Sequence, residues 1–371
     1  MKVPFYDATR EYLNFKSDFD NAITDVLKSG AFILGRQVGG FEEEICAYTG
    51  AQYAVGVANG SDALLIASDI LAYKNGAEVL TPVFTFFAST SCIARLGGRP
   101  VFVDVDEDTF CMDMRDAENR MTQKTAGIIP VHLFLQTADM DACMTLARKY
   151  NVSVLEDAAE AFGMKTLYNG ASRHAGTMGD FGVFSFFPTK TLGGYGDGGM
   201  IITNNEELYQ RAKSYRTHGA TKKYHHEHIG YNSRLDTLQA AILRVKLSRI
   251  DAAIQKRAAH AAHYRERLAD IPGIKLPLVK ENNTPVNYVF CVQADDRDKL
   301  ENFLKENEIG TSIYYPIPLH LQKCFDYLGY KTGDFPIAEK LCKTVIALPM
   351  FPELSGDEVD FVCDTIRKFY T

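Results

Sequence analysis

The stretch Gly182-Val183-Phe184-Ser185-Phe186-Phe187-Pro188-Thr189-Lys190-Thr191-Leu192-Gly193-Gly194-Tyr195-Gly196-Asp197-Gly198-Gly199 sets the reading of this chain. It begins as a continuous apolar run over Gly182–Phe187 and delivers a lysine. Five glycines then fall within the seven residues 193–199, before a second apolar run at Gly199–Thr203. Apolar runs that do not alternate with polar residues mark strands buried on both faces. A lysine carried from a strand end into a crowded pocket can have its pKa lowered and act as a Schiff-base nucleophile. The glycines superficially suggest a dinucleotide loop, but that fingerprint follows the first strand of a βαβ unit, with an acid ~20 residues further on. Here it lies mid-chain and runs into a strand.

The same texture extends outward on both sides. Apolar runs at Tyr53–Ala58, Glu78–Thr81, Pro100–Val105, Gly127–His132 and Ser153–Leu155 alternate with helical patterns at 61–73, 88–96 and 139–150. Phe15–Lys28 and Phe41–Tyr48 precede them with helical spacing. Strands separated by crossover helices predict a mainly parallel sheet in a large α/β domain over residues 13–245. From Leu235 to Leu268 a helical pattern without Gly or Pro predicts one long helix bridging two lobes. A smaller α+β domain follows over residues 246–371. Its predicted elements are a strand at Val286–Gln293, a helix at Arg297–Glu308, a segment at Thr311–Tyr315 and a closing helix from Ser355 to Phe369. Residues 1–12 are expected to pack near the large domain's functional site.

Composition narrows the function. The 371 residues are 46% hydrophobic and 23% charged, which supplies a sizeable core and excludes global disorder. Forty Lys and Arg against 47 Asp and Glu give a net charge of −7, and no basic block stands out, so the footprint of a nucleic-acid binder is missing. The eight cysteines are scattered without a CxxC, unlike a zinc ribbon or a disulfide framework. No apolar leader opens the sequence, and the run Val79–Ala94, with Pro82 inside it, is too short and polar to span a bilayer. These features predict a soluble, cytoplasmic protein with reduced thiols, no metal and no membrane or nucleic-acid partner.

In open parallel sheets, ligands bind beyond the carboxyl ends of the strands, so the residues after each run carry the chemistry. Asn59-Gly60-Ser61-Asp62 opens a helix, where free N–H groups, a positive dipole end and a hydroxyl suit a phosphate, although a simple N-cap has the same composition. Glu156-Asp157-Ala158-Ala159-Glu160 places carboxylates at a buried strand end, which is costly unless a cation meets them. Asp157 there also reads as a helix cap. Gly230-Tyr231-Asn232-Ser233-Arg234 sets Asn232 and Arg234 at a helix mouth. His225-His226-Glu227-His228 lacks zinc spacing and reads as a solvated loop.

Together these segments resemble the DegT/DnrJ/EryC1/StrS family of pyridoxal phosphate (PLP)-dependent nucleotide-sugar aminotransferases, of fold-type I. The resemblance runs from Val3-Pro4-Phe5 and Ile33-Leu34-Gly35 to Tyr315-Pro316-Ile317-Pro318-Leu319-His320, nearly the whole chain. Its specific motifs are Glu156-Asp157-Ala158-Ala159, Ser185-Phe186-Phe187-Pro188-Thr189-Lys190 and Gly230-Tyr231-Asn232-Ser233-Arg234. It implies a large domain with a seven-stranded, mainly parallel sheet and a small α+β domain.

The resemblance also implies roles. Lys190 would join PLP covalently and shuttle the proton, Asp157 would keep the pyridine nitrogen protonated, and Phe86 would stack on the ring. Gly60, Ser61, Asp62 and Ser185 would hold the phosphate, with Asn232 contributed from the neighbouring subunit of a homodimer. Arg234, Tyr315 and His320 would lie near the substrate. Two departures stand out. Glu160 replaces the family's usual Gln beside the cofactor's phenolic oxygen, where an ionised acid cannot donate. Leu135 stands where a Gly tends to follow the His-Leu-aromatic run.

The implied reaction moves an amino group from glutamate to a nucleotide-linked keto-sugar, dTDP- or UDP-linked, in amino-sugar and polysaccharide biosynthesis. The Gly-rich run after Lys190 looks more like relatives acting on 3-keto sugars, whereas a Thr-Gly-Glu-Gly turn marks the 4-keto group. The alternatives are a 4-keto sugar aminotransferase, a dehydratase relative whose lysine is replaced by histidine, and a non-catalytic regulator or sensor on the same fold. Retention of Lys190 and Asp157 argues against the last two.

Overall fold

The computed structural model describes residues 1–371. Seven strands form one sheet in the spatial order Tyr53–Val57, Gly199–Thr203, Phe181–Ser185, Ser153–Asp157, Thr125–Ile128, Glu78–Pro82 and Arg99–Val103. Five run parallel across the sheet from Phe181–Ser185 to Arg99–Val103. Gly199–Thr203 is antiparallel to both of its neighbours, so the sheet is mixed but mostly parallel. The central strands are almost wholly buried because helices cover both faces.

The register decides where chemistry gathers. Asp157 pairs with Val183, while Ser185 pairs with Gly199, which also pairs with Val57. The ends of three strands therefore meet at one edge, facing the helix Gly60–Ile70. A second sheet, Ile274–Lys275, Phe290–Ala294 and Val345–Leu348, is antiparallel. Helices Ile250–Leu268, Arg297–Glu306 and Gly356–Tyr370 contribute with it to a buried apolar cluster. Ser355 starts the last helix with a reciprocal capping box to Glu358.

Several sequence expectations need correction. The helical pattern 235–268 is two helices, Thr237–Leu247 and Ile250–Leu268, broken at Ser248-Arg249. There Ser248 Oγ and Arg249 Nη1 both donate to the Val245 carbonyl, at 2.8 and 2.9 Å, so side chains take over an acceptor that the helix would have used. The segment Thr311–Tyr315 is irregular and makes an isolated bridge, Ser312 to Ala347. The hairpin Lys165–Tyr168 with Ala171–His174 went unread, although its Asn169-Gly170 turn, with φ of 49° and 74°, carries the usual signature of a two-residue hairpin. The histidine-rich stretch is an exposed two-stranded hairpin rather than a loop. No helix is long and apolar enough to cross a membrane.

Candidate active site

A cavity of about 550 Å³ opens at the converging strand ends. Its wall brings together Gly60, Ser61, Phe86, Asp157, Glu160, Ser185, Lys190 and Tyr315 from segments that lie far apart along the chain.

At the phosphate-like end, the helix begins at Gly60, capped by Asn59, whose side chain accepts from Asp62 N at 2.8 Å. The N–H groups of Gly60 and Ser61 therefore have no partner inside the helix and form its positive dipole end. Only glycine permits this approach, since a Cβ at residue 60 would sit 2.7 Å from Ser185 Cβ. Asp62, with its N–H held by Asn59, is not part of the wall.

The two acids of Glu156-Asp157 point to opposite faces, as successive strand residues must. Glu156 is fully buried and accepts from Gly176, Met178 and Gly179 N–H groups and pairs with His132 Nε2 at 2.8 Å. His132 Nδ1 accepts from Ala138 N, so the ring is the Nε2–H tautomer donating to Glu156. Asp157 faces the cavity. It accepts from Ser89 Oγ at 2.6 Å and Ala159 N at 3.1 Å, and it makes no ion pair. Burial pushes its carboxyl above the ordinary range, with the hydrogen bond from Ser89 opposing.

Lys190 lies on a tight turn after the Phe181–Ser185 strand, its N–H bonded to Phe187 O and Gly194 N bonded back to Phe186 O. A Cβ at Gly193 would lie 2.3 Å from Pro188 O, so the glycine run closes this turn rather than cradling a nucleotide. Lys190 Nζ donates to Glu160 Oε1 at 3.1 Å and sits 4.4 Å from the centre of the Tyr288 ring. Burial alone would lower the ammonium's pKa, but the neighbouring Glu160 charge and hydrogen bond raise it above the ordinary lysine value. Glu160 also accepts from Phe134 N at 3.3 Å. Tyr315 is packed among Phe84, Phe86 and Phe134.

Besides Asp62, three expected residues lie outside the cavity wall. Asn232 is exposed and its backbone bridges to Thr217, while Arg234 is half-buried. His320 is buried against Phe335 and hydrogen-bonded to Glu339 at 3.1 Å. The structure adds Ser89, Tyr288, Tyr314 and Asp197, which the sequence reading missed. Ser89 follows Phe86 closely enough to have been considered; Tyr288 carries no local signal.

The donor set suits PLP. A desolvated carboxylate without a cation matches a protonated ring nitrogen, a free helix N-terminus with two serines matches a phosphate, and the half-exposed Phe86 ring offers a stacking face.

The profile of the DegT/DnrJ/EryC1/StrS aminotransferase family matches residues 14–367. A relative from Geobacillus stearothermophilus, named a pleiotropic regulatory protein, is 45% identical, with all of this chain and 99% of the relative covered. A Streptomyces venezuelae protein named dTDP-3-amino-3,4,6-trideoxy-alpha-D-glucose transaminase is 38% identical, with 99% of this chain and 96% of the relative covered. The solved structure of S. venezuelae DesV is similar with a TM-score of 0.96 at 38% identity, covering 100% of this chain and 98% of that one.

Proposed function

The chain belongs to the DegT/DnrJ/EryC1/StrS aminotransferase family, and from that premise we propose that it uses PLP to move an amino group from glutamate to a nucleotide-linked 3-keto sugar. That it is a sugar aminotransferase follows from the full-length match and from transaminases among its relatives. The observation that carries the cofactor and the site is the meeting of Lys190, Asp157 and the Gly60–Ser61 helix start around one cavity.

Bound PLP supplies an electron sink for the charge left when a proton leaves the donor's α-carbon. Gly60 and Ser61 N–H groups with the Ser185 and Ser61 hydroxyls would hold the phosphate. Asp157, oriented by Ser89 and Ala159, would accept from the ring nitrogen and keep it protonated. Lys190, once freed as an amine, would take the α-proton on Nζ and deliver it to the cofactor carbon that keeps the nitrogen, so that the donor would leave as its keto acid. Glu160 is placed to hold that lysine's position and charge. Asn232, exposed at the end of its loop, would complete the phosphate site of a second copy in a homodimer. The 3-position is supported by the Gly-rich turn after Lys190 and by the 3-amino sugar in the name of the Streptomyces relative.

The regulatory name of the Geobacillus relative favours a second reading, a sensor that binds but does not turn over. One experiment separates them. Protein with PLP should show a visible absorbance that glutamate and borohydride each abolish, and should aminate 3-keto in preference to 4-keto nucleotide sugars by mass spectrometry. Binding without turnover of any sugar would support the sensor.

A further inference from the structure

Lys190 has open space on two sides. It lines the first cavity and also a second, of about 270 Å³, bounded by Tyr6 and Glu11 of the N-terminal segment and by Lys256 and Arg257 of the helix Ile250–Leu268. Close packing fixes a residue only where atoms press on it from every side, so the turn that carries Lys190 has to be located by hydrogen bonds. Two lie within the turn, Lys190 N to Phe187 O and Gly194 N to Phe186 O. Three more reach residues 188–190 from distant segments. Tyr6 Oη donates to Pro188 O at 2.6 Å, the hydroxyls of Tyr288 and Thr189 bond at 3.2 Å, and Lys190 Nζ donates to Glu160 at 3.1 Å.

The two tyrosines are held in turn by the small lobe. Val3, at the start of the N-terminal segment, exchanges backbone bonds with Glu308 and Gly310, at 3.0 and 2.8 Å. The Tyr6 ring stands edge-on to Phe351, and Arg10 grips Glu358 with both terminal nitrogens, at 2.8 and 2.7 Å. Burial pushes the Tyr6 phenol well above its ordinary range, so it stays a protonated donor. Tyr288 is 5% exposed and just precedes the Phe290–Ala294 strand of the second sheet. Its carbonyl accepts from Arg257 Nη1 at 3.0 Å, and its ring lies 4.4 Å from Lys190 Nζ.

We propose that Tyr6 and Tyr288 are positioning residues for Lys190: their hydroxyls clamp Pro188 and Thr189 to the small lobe and so fix where Nζ stands when it takes the donor's proton. Such a transfer tolerates little error, since a misplacement of about 1 Å can cost ~10²-fold in rate. This rests on the aminotransferase reading and adds to it two residues that act through the lysine.

Tyr6→Phe and Tyr288→Phe each delete one hydroxyl and keep the ring. In the first arm, cofactor-free protein is labelled with an amine-reactive reagent at fixed pH, and the rate at Lys190 is read by peptide mass spectrometry against the exposed Lys299. A slackened turn should loosen the Glu160 contact and speed labelling at Lys190 about threefold or more in each variant, the scale of one net hydrogen bond, with Lys299 unchanged. In the second arm, cofactor-loaded protein reacts once with saturating glutamate, followed by absorbance. Proton removal should slow about tenfold in each variant, while half-saturating glutamate stays within about twofold and the isotope effect of α-deuterated glutamate is at least the parent's. Thr189→Val should match Tyr288→Phe, and the double variant should be no worse than either, because both remove the same bond. Parent-like labelling or a parent-like proton step in either tyrosine variant, or additive losses in the double variant, would overturn the proposal. A lowered melting temperature without these changes would overturn it too, leaving the tyrosines structural. Failure of the aminotransferase reading shows separately, as a parent protein that does not react with glutamate; the labelling arm then decides whether the tyrosines hold Lys190.

Discussion

Lys190 Nζ and Glu160 Oε1 lie 3.1 Å apart in a largely buried pair, with the Tyr288 ring against the ammonium. Glu160 is therefore a counter-ion to Lys190.

Glu160→Gln should lower the pKa of Lys190, because removing the charge leaves burial as the dominant influence. With Glu160 present the value is raised, so on the alkaline side the lysine's charge persists through the ordinary lysine range and is lost as pH rises through the raised value. In the variant, the pH profile for labelling Lys190 by an amine-reactive reagent, read by peptide mass spectrometry, should move down by at least about one unit, a tenfold gain in free amine at a given pH. An unmoved profile would show that Glu160 does not control the lysine.

Lys190→Ala should retain the fold, since the side chain lines a cavity instead of filling the core. Turnover should fall by roughly 10²–10⁴-fold or more, the contribution of a positioned acid–base group, together with loss of the covalent anchor. Single-turnover amination monitored by mass spectrometry measures this, and near-parental rates would remove Lys190 from the reaction.

Asp157→Asn preserves shape while removing a desolvated charge that makes no ion pair and that burial disfavours. The cofactor-free protein should therefore be as stable as its parent or more so. On the proposed role of Asp157, turnover should drop by about 10²-fold, because the ring nitrogen would lose the acid that keeps it protonated. A large fall in the melting temperature of the cofactor-free protein, with kinetics preserved, would make Asp157 a structural acid only.

His132→Leu leaves Glu156 short of one partner and Ala138 N–H without its acceptor, both in fully buried surroundings. The expected cost is about 3 kcal/mol, as for breaking a buried charged hydrogen bond. Urea denaturation checks it; a change below about 0.5 kcal/mol, the scale of ordinary surface substitutions, would refute the coupling.

Gly60→Ala puts a Cβ 2.7 Å from Ser185 Cβ, so the helix start must shift from the strand end. Cofactor affinity should fall at least tenfold by fluorescence titration, with little change in secondary structure by circular dichroism. Unchanged affinity would mean that these N–H groups do not hold the phosphate.

The strand-and-helix alternation, the lysine after Phe187, the acids ending Ser153–Asp157 and the glycine opening a helix were all legible along the chain. Each depends on backbone behaviour over a few residues, where period, caps and breakers act locally. The break at Ser248-Arg249 was not legible, because no Gly or Pro marks it and side-chain capping of Val245 makes it. Pairing across elements was equally hidden. Glu160 meets Lys190 from 30 residues away, Ser89 meets Asp157 from 68, and Tyr288 reaches Thr189 from 99. Such contacts depend on strand register and on how the second sheet's elements pack on the first, which no local pattern encodes. The residues that line the first cavity thus come from short segments readable along the chain, whereas the charge state of Lys190 arises from which side chains the packing brings beside it.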